Sequence, residues 1–79
     1  MHATISLTKL KPDEEGALLE LNGGKGFVSR LATLGFTPGA PLTMVQNYGH
    51  GPVIVRVRDT RIALGRGEAN KVVVRRRDS

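Results

Sequence analysis

The sequence predicts a small, mainly β fold: an antiparallel β-barrel of about five short strands, with one short helix inserted after the first strand. Three features predict it. Apolar residues alternate with polar ones in short runs, as in Val53-Ile54-Val55-Arg56-Val57, and Gly, Pro, Asn or Asp bound each run. The connections are too short to hold crossover helices, which leaves antiparallel pairing. A single domain spanning residues 1–79 buries only a little over half of the surface it exposes when unfolded, so the core is small, and closing the sheet would remove its edges.

Taken in order, a short N-terminal arm leads to a turn at Lys11-Pro12-Asp13-Glu14-Glu15-Gly16. Ala17-Leu18-Leu19-Glu20-Leu21 follows as the first strand, with Ala17, Leu19 and Leu21 on its inward face. Asn22-Gly23-Gly24-Lys25-Gly26 breaks that strand, and the helix runs from about Phe27 to Leu34. Phe27, Leu31 and Leu34 stand at i, i+4 and i+7 and share one face, which caps the barrel. Gly35 is the residue type that ends helices in the left-handed region, and Phe36-Thr37-Pro38-Gly39 reads as a turn. Pro41 to about Tyr48 is the second strand, and Gly49-His50-Gly51-Pro52 turns the chain into Val53–Val57.

A two-residue loop at Asp59-Thr60 would pair Val57 with Ile62 and Val55 with Leu64, and would set Arg58 opposite Arg61. Gly65 to Asn70 reads as one helical or 3₁₀ turn and Lys71 to Arg75 as the last strand, with a frayed basic tail over 75–79. With the valines turned inward, Arg56, Arg58 and Arg61 project outward. The outward apolar set is Leu18, Ile54, Ala63 and Val73, with Phe36 in the turn, and a patch among them would be a docking surface.

The net charge of +5 is unevenly placed. Basic and acidic side chains balance over residues 1–55, so the whole excess lies in 56–79 and presents a positive field to an acidic protein, an anionic membrane surface or nucleic acid. The chain has no cysteine, which fits a reducing compartment. Its N-terminus lacks the pattern of a signal peptide, and no more than three apolar residues run together, against the roughly 20 that span a bilayer. A cytoplasmic location is the expectation.

Chemistry-bearing motifs are sparse. Gly23-Gly24-Lys25-Gly26 before a helix invites a phosphate-cradle reading, but a P-loop needs G-x-x-x-x-G-K-[ST], and Gly and Phe follow Lys25 here; the segment reads as a flexible turn. His2 and His50 are the only imidazoles and the weak candidates for a metal ligand, His2 together with Asp13, Glu14 or Glu15. With so few ligands no cofactor is required, and any transition metal would be adventitious or regulatory. The serines lie in no nucleophile motif, so no catalytic residue and no enzyme is expected. A nucleic-acid-binding module is the alternative reading, driven by Arg56, Arg58, Arg61 and Arg75-Arg76-Arg77. It is disfavoured because Phe27, Phe36 and Tyr48 are the only aromatics available as stacking platforms.

The run Arg30-Leu31-Ala32-Thr33-Leu34-Gly35-Phe36-Thr37-Pro38-Gly39, with Leu42-Thr43-Met44-Val45 after it, resembles the ferrous iron transport protein A (FeoA) family. That family's pattern is Arg-Leu-x-x-Leu-Gly-(aliphatic or aromatic)-x-Pro-Gly and then a strand. The likeness extends to Leu7-Thr8-Lys9-Leu10, to Gly51-Pro52-Val53-Ile54-Val55 and to Arg61-Ile62-Ala63-Leu64, and so covers Ile5 to Val74. The resemblance implies an SH3-like barrel and a non-enzymatic accessory role in ferrous iron uptake. It further implies a partner, the cytoplasmic part of the membrane ferrous permease FeoB, which would hold the chain at the inner face of the membrane. On that reading the partner-binding residues are Arg30, Leu34, Gly35, Phe36, Pro38, Gly39 and Leu42, with help from Arg56, Arg58 and Arg61.

Overall fold

A computed structural model of the protein describes residues 4–77. Strands β1 (Thr4–Ser6), β2 (Glu15–Leu21), β3 (Pro41–Gln46), β4 (Val53–Val57), β5 (Thr60–Leu64) and β6 (Val72–Arg76) form one antiparallel sheet in the order β1-β6-β2-β3-β4-β5. A 3₁₀ turn (Leu7–Lys9) follows β1, helix α1 (Lys25–Thr33) joins β2 to β3, and the single turn α2 (Arg66–Ala69) joins β5 to β6. The N-terminal arm therefore contributes a sixth strand where five were expected, because Thr4, Ile5 and Ser6 pair with Arg75, Val74 and Val73. The Ser6 hydroxyl then accepts the Thr8 N–H (3.2 Å) and starts the 3₁₀ turn, which buries Leu7.

The expected closure of the sheet is not made. β1 and β5 are its two edges, the first short and the second carrying Thr60 and Arg61, features that discourage strand addition. The core lies on the concave side: Leu7, Leu10, Leu18, Leu31, Phe36, Leu42, Met44, Val53, Val55, Val57, Ile62, Leu64, Ala69, Val72 and Val74 form one buried cluster. The inward turn of Val53, Val55 and Val57 is as the alternation predicts.

Strand β2 reverses the predicted parity. Gly16 and Leu18 are buried, whereas Ala17 and Leu19 are half-buried, and Leu21 returns to the core side only past a bulge. The strand begins at Glu15, and Gly16 occupies an inward position because β6 passes close by: a Cβ there would stand 2.9 Å from the Arg75 carbonyl oxygen. A glycine that reads as a breaker in the sequence is thus a strand residue. A bulge between Leu18 and Glu20 then shifts the register toward Leu21, which pairs with Val72.

In the β4–β5 hairpin the loop is Arg58-Asp59, not Asp59-Thr60, so Val57 pairs with Thr60, Val55 with Ile62 and Val53 with Leu64. The slip from the expected register is even, and both inward rows survive it. What changes is the charge pairing: Arg56, not Arg58, lies opposite Arg61. Arg58 supplies the positive φ (+57°) that a two-residue hairpin loop requires, although arginine is not a turn former.

Helix α1 ends in a Schellman motif. Gly35 adopts φ +104°, its N–H donates to the Ala32 carbonyl (3.0 Å), and the Phe36 N–H donates to the Leu31 carbonyl (2.9 Å). The hydrophobic partners of such a motif, Phe36 and Leu31, are both buried, so Phe36 belongs to the core and not to the outward set. The turn lies one residue later than expected: the Ala40 N–H closes onto the Thr37 carbonyl (2.9 Å) with Pro38 and Gly39 at the corners, Gly39 at φ +86°. The Gly39 N–H donates to the Leu18 carbonyl (2.7 Å) and the Leu18 N–H to the Ala40 carbonyl (2.9 Å), fixing the turn to β2.

The last turn of α1 is also tied to α2. The Arg30 guanidinium donates to the Glu68 carboxylate at 2.5 Å and lies 5.9 Å from the Phe27 ring centroid, with Lys71 on the same ring at 5.8 Å. Arg76 and Arg77, expected to fray, are held. Arg76 extends β6 and donates to the Lys9 carbonyl (3.0 Å), and Arg77 pairs with Glu15 at 2.8 Å.

Replacing Gly35 forces a side chain into a left-handed conformation with its Cβ 3.3 Å from Val57 Cγ1. Gly35→Ala should therefore destabilise by about 1–3 kcal/mol. Gly26, in α1 with open space around its Cβ position, gives the opposite result: Gly26→Ala should stabilise by about 0.4–1 kcal/mol. Urea unfolding of both variants checks the pair. Acid titration checks the tie between the helices. The hydrogen bond and charge of Arg30 hold the Glu68 carboxyl below its ordinary 4.5, so its contribution is present above that value and lost as pH falls through the lowered pKa. Thermal midpoints measured across that window should fall for the native chain and fall less for Glu68→Gln.

Candidate functional site

Two surfaces stand out, one apolar and one cationic. The apolar one is a groove of about 210 Å³ between α1, the second half of β2 (Leu18 to Leu21, Glu20 among them) and the turn after α1. Val28 and Ala32, one helical turn apart, form its helix wall; Leu19 and Leu21 form its strand wall; Thr37 and Pro38 close one end. It lies where the apolar run Leu18-Leu19 and Leu21 outlasts the cover of a short helix. Leu18 and, past the bulge, Leu21 pack on the core while Leu19 is half-buried beside them, and a short helix covers this stretch only in part. Ala32 is exposed, and Leu19, Leu21 and Val28 are half-buried.

The cationic surface is the outer face of the β4–β5 hairpin. Arg56 and Arg61 are direct cross-strand neighbours, both exposed, with Thr43 of β3 next in the same row. Arg58, in the hairpin loop, lays its side chain beside Gly35, at the C-terminal end of α1, where a positive charge is favourable. Among the described residues none of these three arginines has a carboxylate within ion-pair distance; the ion pairs are Arg30–Glu68, Arg76–Glu14 and Arg77–Glu15. Asp59, the neighbour expected to offset Arg58, does not pair with it.

The sequence-predicted site residues divide accordingly. Leu34 (39% exposed), Pro38 and Gly39 are available at the surface around the turn. Gly35 shapes the backbone, and Arg30 is engaged with Glu68. Phe36 and Leu42, 1% and 2% exposed, are core residues and can meet no partner directly. The groove residues Leu19, Leu21, Val28 and Ala32 were not among the expected contacts. The i, i+4 spacing of Val28 and Ala32 carried part of the signal, but the bulge in β2, which breaks the alternation between Leu18 and Glu20, concealed the rest.

The titratable groups do not converge. His50 is exposed between Gly49 and Gly51, both at positive φ, while His2 lies outside the described residues. Among the described residues no three His, Cys, Asp or Glu side chains come together as a metal site would require. Glu14 and Glu15, proposed partners of His2, are occupied with Arg76 and Arg77, and Glu14 also accepts the Lys11 N–H at 2.7 Å. No helix is long and apolar enough to cross a membrane among the described residues.

Comparison with known proteins gives a consistent picture. The FeoA domain family matches residues 5–76. A curated Fe(2+) transport protein A of Methanocaldococcus jannaschii is 36% identical over 64 residues, covering 81% of this chain and 77% of that protein. A crystal structure of an iron uptake regulatory protein (FeoA) superposes with a TM-score of 0.87 at 31% identity, over 95% of this chain and all of that one (100%). The zinc-complexed FeoA of Stenotrophomonas maltophilia, described as a procaryotic SH3 domain protein, matches at a TM-score of 0.72 and 32% identity over 94% of this chain and 88% of its own. At 21% identity, the acidophile T. acidophilum IdeR shares the fold over 35% of its length, with a TM-score of 0.83. With its helix stop, turn and open SH3-like sheet matching over nearly the whole length, the chain belongs to the FeoA domain family.

Proposed function

We propose that this protein is a non-enzymatic accessory factor of ferrous iron uptake that works in the cytoplasm by binding the cytoplasmic part of a FeoB-like ferrous permease. The observation that carries the reading is the groove between α1 and β2. At about 210 Å³ it is smaller than the pockets of about 300–1,000 Å³ that enclose small molecules, yet it suits an aliphatic side chain on an apolar segment of another protein. Membership of the FeoA family and the names of its relatives supply the iron-transport context.

On this reading Val28, Ala32, Leu19 and Leu21 receive the partner's apolar side chain, and Pro38, Gly39 and exposed Leu34 form the neighbouring rim. Gly35 and the buried Phe36 act by holding that rim in place. No metal or organic cofactor takes part in the contact, and the chain sits at the inner face of the membrane through its partner. The nucleic-acid alternative is weaker because Phe36 is buried and Phe27 lies beneath Arg30 and Lys71, so neither offers a face for base stacking.

Ala32→Glu places a charge in the groove at an exposed helix position and should leave stability within about 0.5 kcal/mol of the native chain. Calorimetric titration against the cytoplasmic region of the permease should show a loss of affinity of about tenfold or more, the cost of an unpaired charge in an apolar contact. Absence of binding by the native chain at low salt, with both components folded, overturns the proposal.

A further inference from the structure

The groove leaves the cationic hairpin unexplained, and the two surfaces are built from different elements. The outward residues of β4 and β5 are Ile54, Arg56, Arg61 and Ala63, and β3 adds Thr43 and Gln46 in the same cross-strand rows. Across β3, β4 and β5 neither row holds a carboxylate; Glu15 of β2, the next neighbour of Thr43, is tied to Arg77. Like charges directly opposite on a sheet oppose folding, so the Arg56–Arg61 pair is not there for stability. The described concavities open elsewhere, between α1 and β2 and between β2 and β6. A protein partner that relied on this face would find arginines but no pocket for an anchoring side chain. A single-stranded nucleic acid would find no aromatic in these rows to stack on. Arginine beside aliphatic side chains is instead the composition that suits a layer of anionic headgroups, where the guanidinium meets phosphate and the aliphatic groups rest at the interface.

We infer that the outer face of the β4–β5 hairpin, centred on Arg56 and Arg61 with Arg58 at its tip, binds the surface of an anionic lipid bilayer. The groove lies on other elements and stays open when this face is occupied. The inference does not depend on the permease, because the bilayer is recognised by its headgroup charge and its interface.

The test is co-sedimentation of the full chain with vesicles of phosphatidylglycerol and phosphatidylethanolamine, against vesicles of phosphatidylcholine. Binding to the anionic vesicles only, weakening as salt rises, is the expected result. Arg56→Gln with Arg61→Gln should lower the partition coefficient by about 25-fold, roughly fivefold for each arginine. Removing this like-charge pair relieves repulsion, so the variant should remain folded. Lys11→Gln with Lys25→Gln removes the same charge from other elements and should retain most of the binding. Three outcomes overturn the inference: no binding to anionic vesicles at low salt, an equal loss in both double variants, or tighter capture by a single-stranded RNA or a polyglutamate peptide than by the vesicles.

Discussion

The left-handed backbone at Gly35 fixes where everything after α1 can go. By ending the helix there, it returns the chain toward the sheet within one residue and drops Phe36 into the core beside Leu31. Burying two such side chains is worth about 1.5–3 kcal/mol each, a large share of the stability of so small a domain. The turn through Pro38 and Gly39 then meets β2 at both backbone groups of Leu18, which sets the start of β3. A residue with a Cβ at position 35 would press on Val57, so helix stop, turn and hairpin depend on one another.

The same constraint creates the groove. With α1 held beside the second half of β2, Leu19 and Leu21 are covered enough to leave water in part but not enough to be fully buried. A longer helix would bury them fully, and a missing one would leave an apolar strand face in solvent. The half-covered state is what a binding surface between proteins needs: apolar, preformed and accessible. The open sheet follows similar logic. β1 and β5 remain edges, and each is made a poor template for another strand by its shortness or its arginine.

Charge is arranged by a different rule. Two of the four acidic side chains of the first half are tied, Glu14 to Arg76 and Glu15 to Arg77, and Glu68 is held by Arg30. These exposed pairs add little stability individually. Of the described arginines outside these pairs, Arg56, Arg58 and Arg61 gather on one hairpin, while Arg66 is bonded to Asn47 and the Gly51 carbonyl and Arg75 lies on β6. The positive field implied by the sequence is therefore concentrated on a surface separate from the apolar groove, so the two can meet different surroundings at once.

Local chemistry determined the helix stop at Gly35, the Pro38-Gly39 turn, the inward valines of β4 and the single helical turn near Glu68, because each is set by residues within a few positions of one another. Tertiary contact decided the rest. The inward place of Gly16 follows from the approach of β6, and the bulge against β6 then sets Leu19 and Leu21 beside α1. Arg58 takes a turn conformation that its own type disfavours because the hairpin's inward valines must pair with Ile62 and Leu64. Thr4 to Ser6 become a strand because the edge of β6 is there to receive them. A period-2 pattern tells which residues share a face, but which face turns inward is fixed by what packs against it, and that partner is distant in the chain.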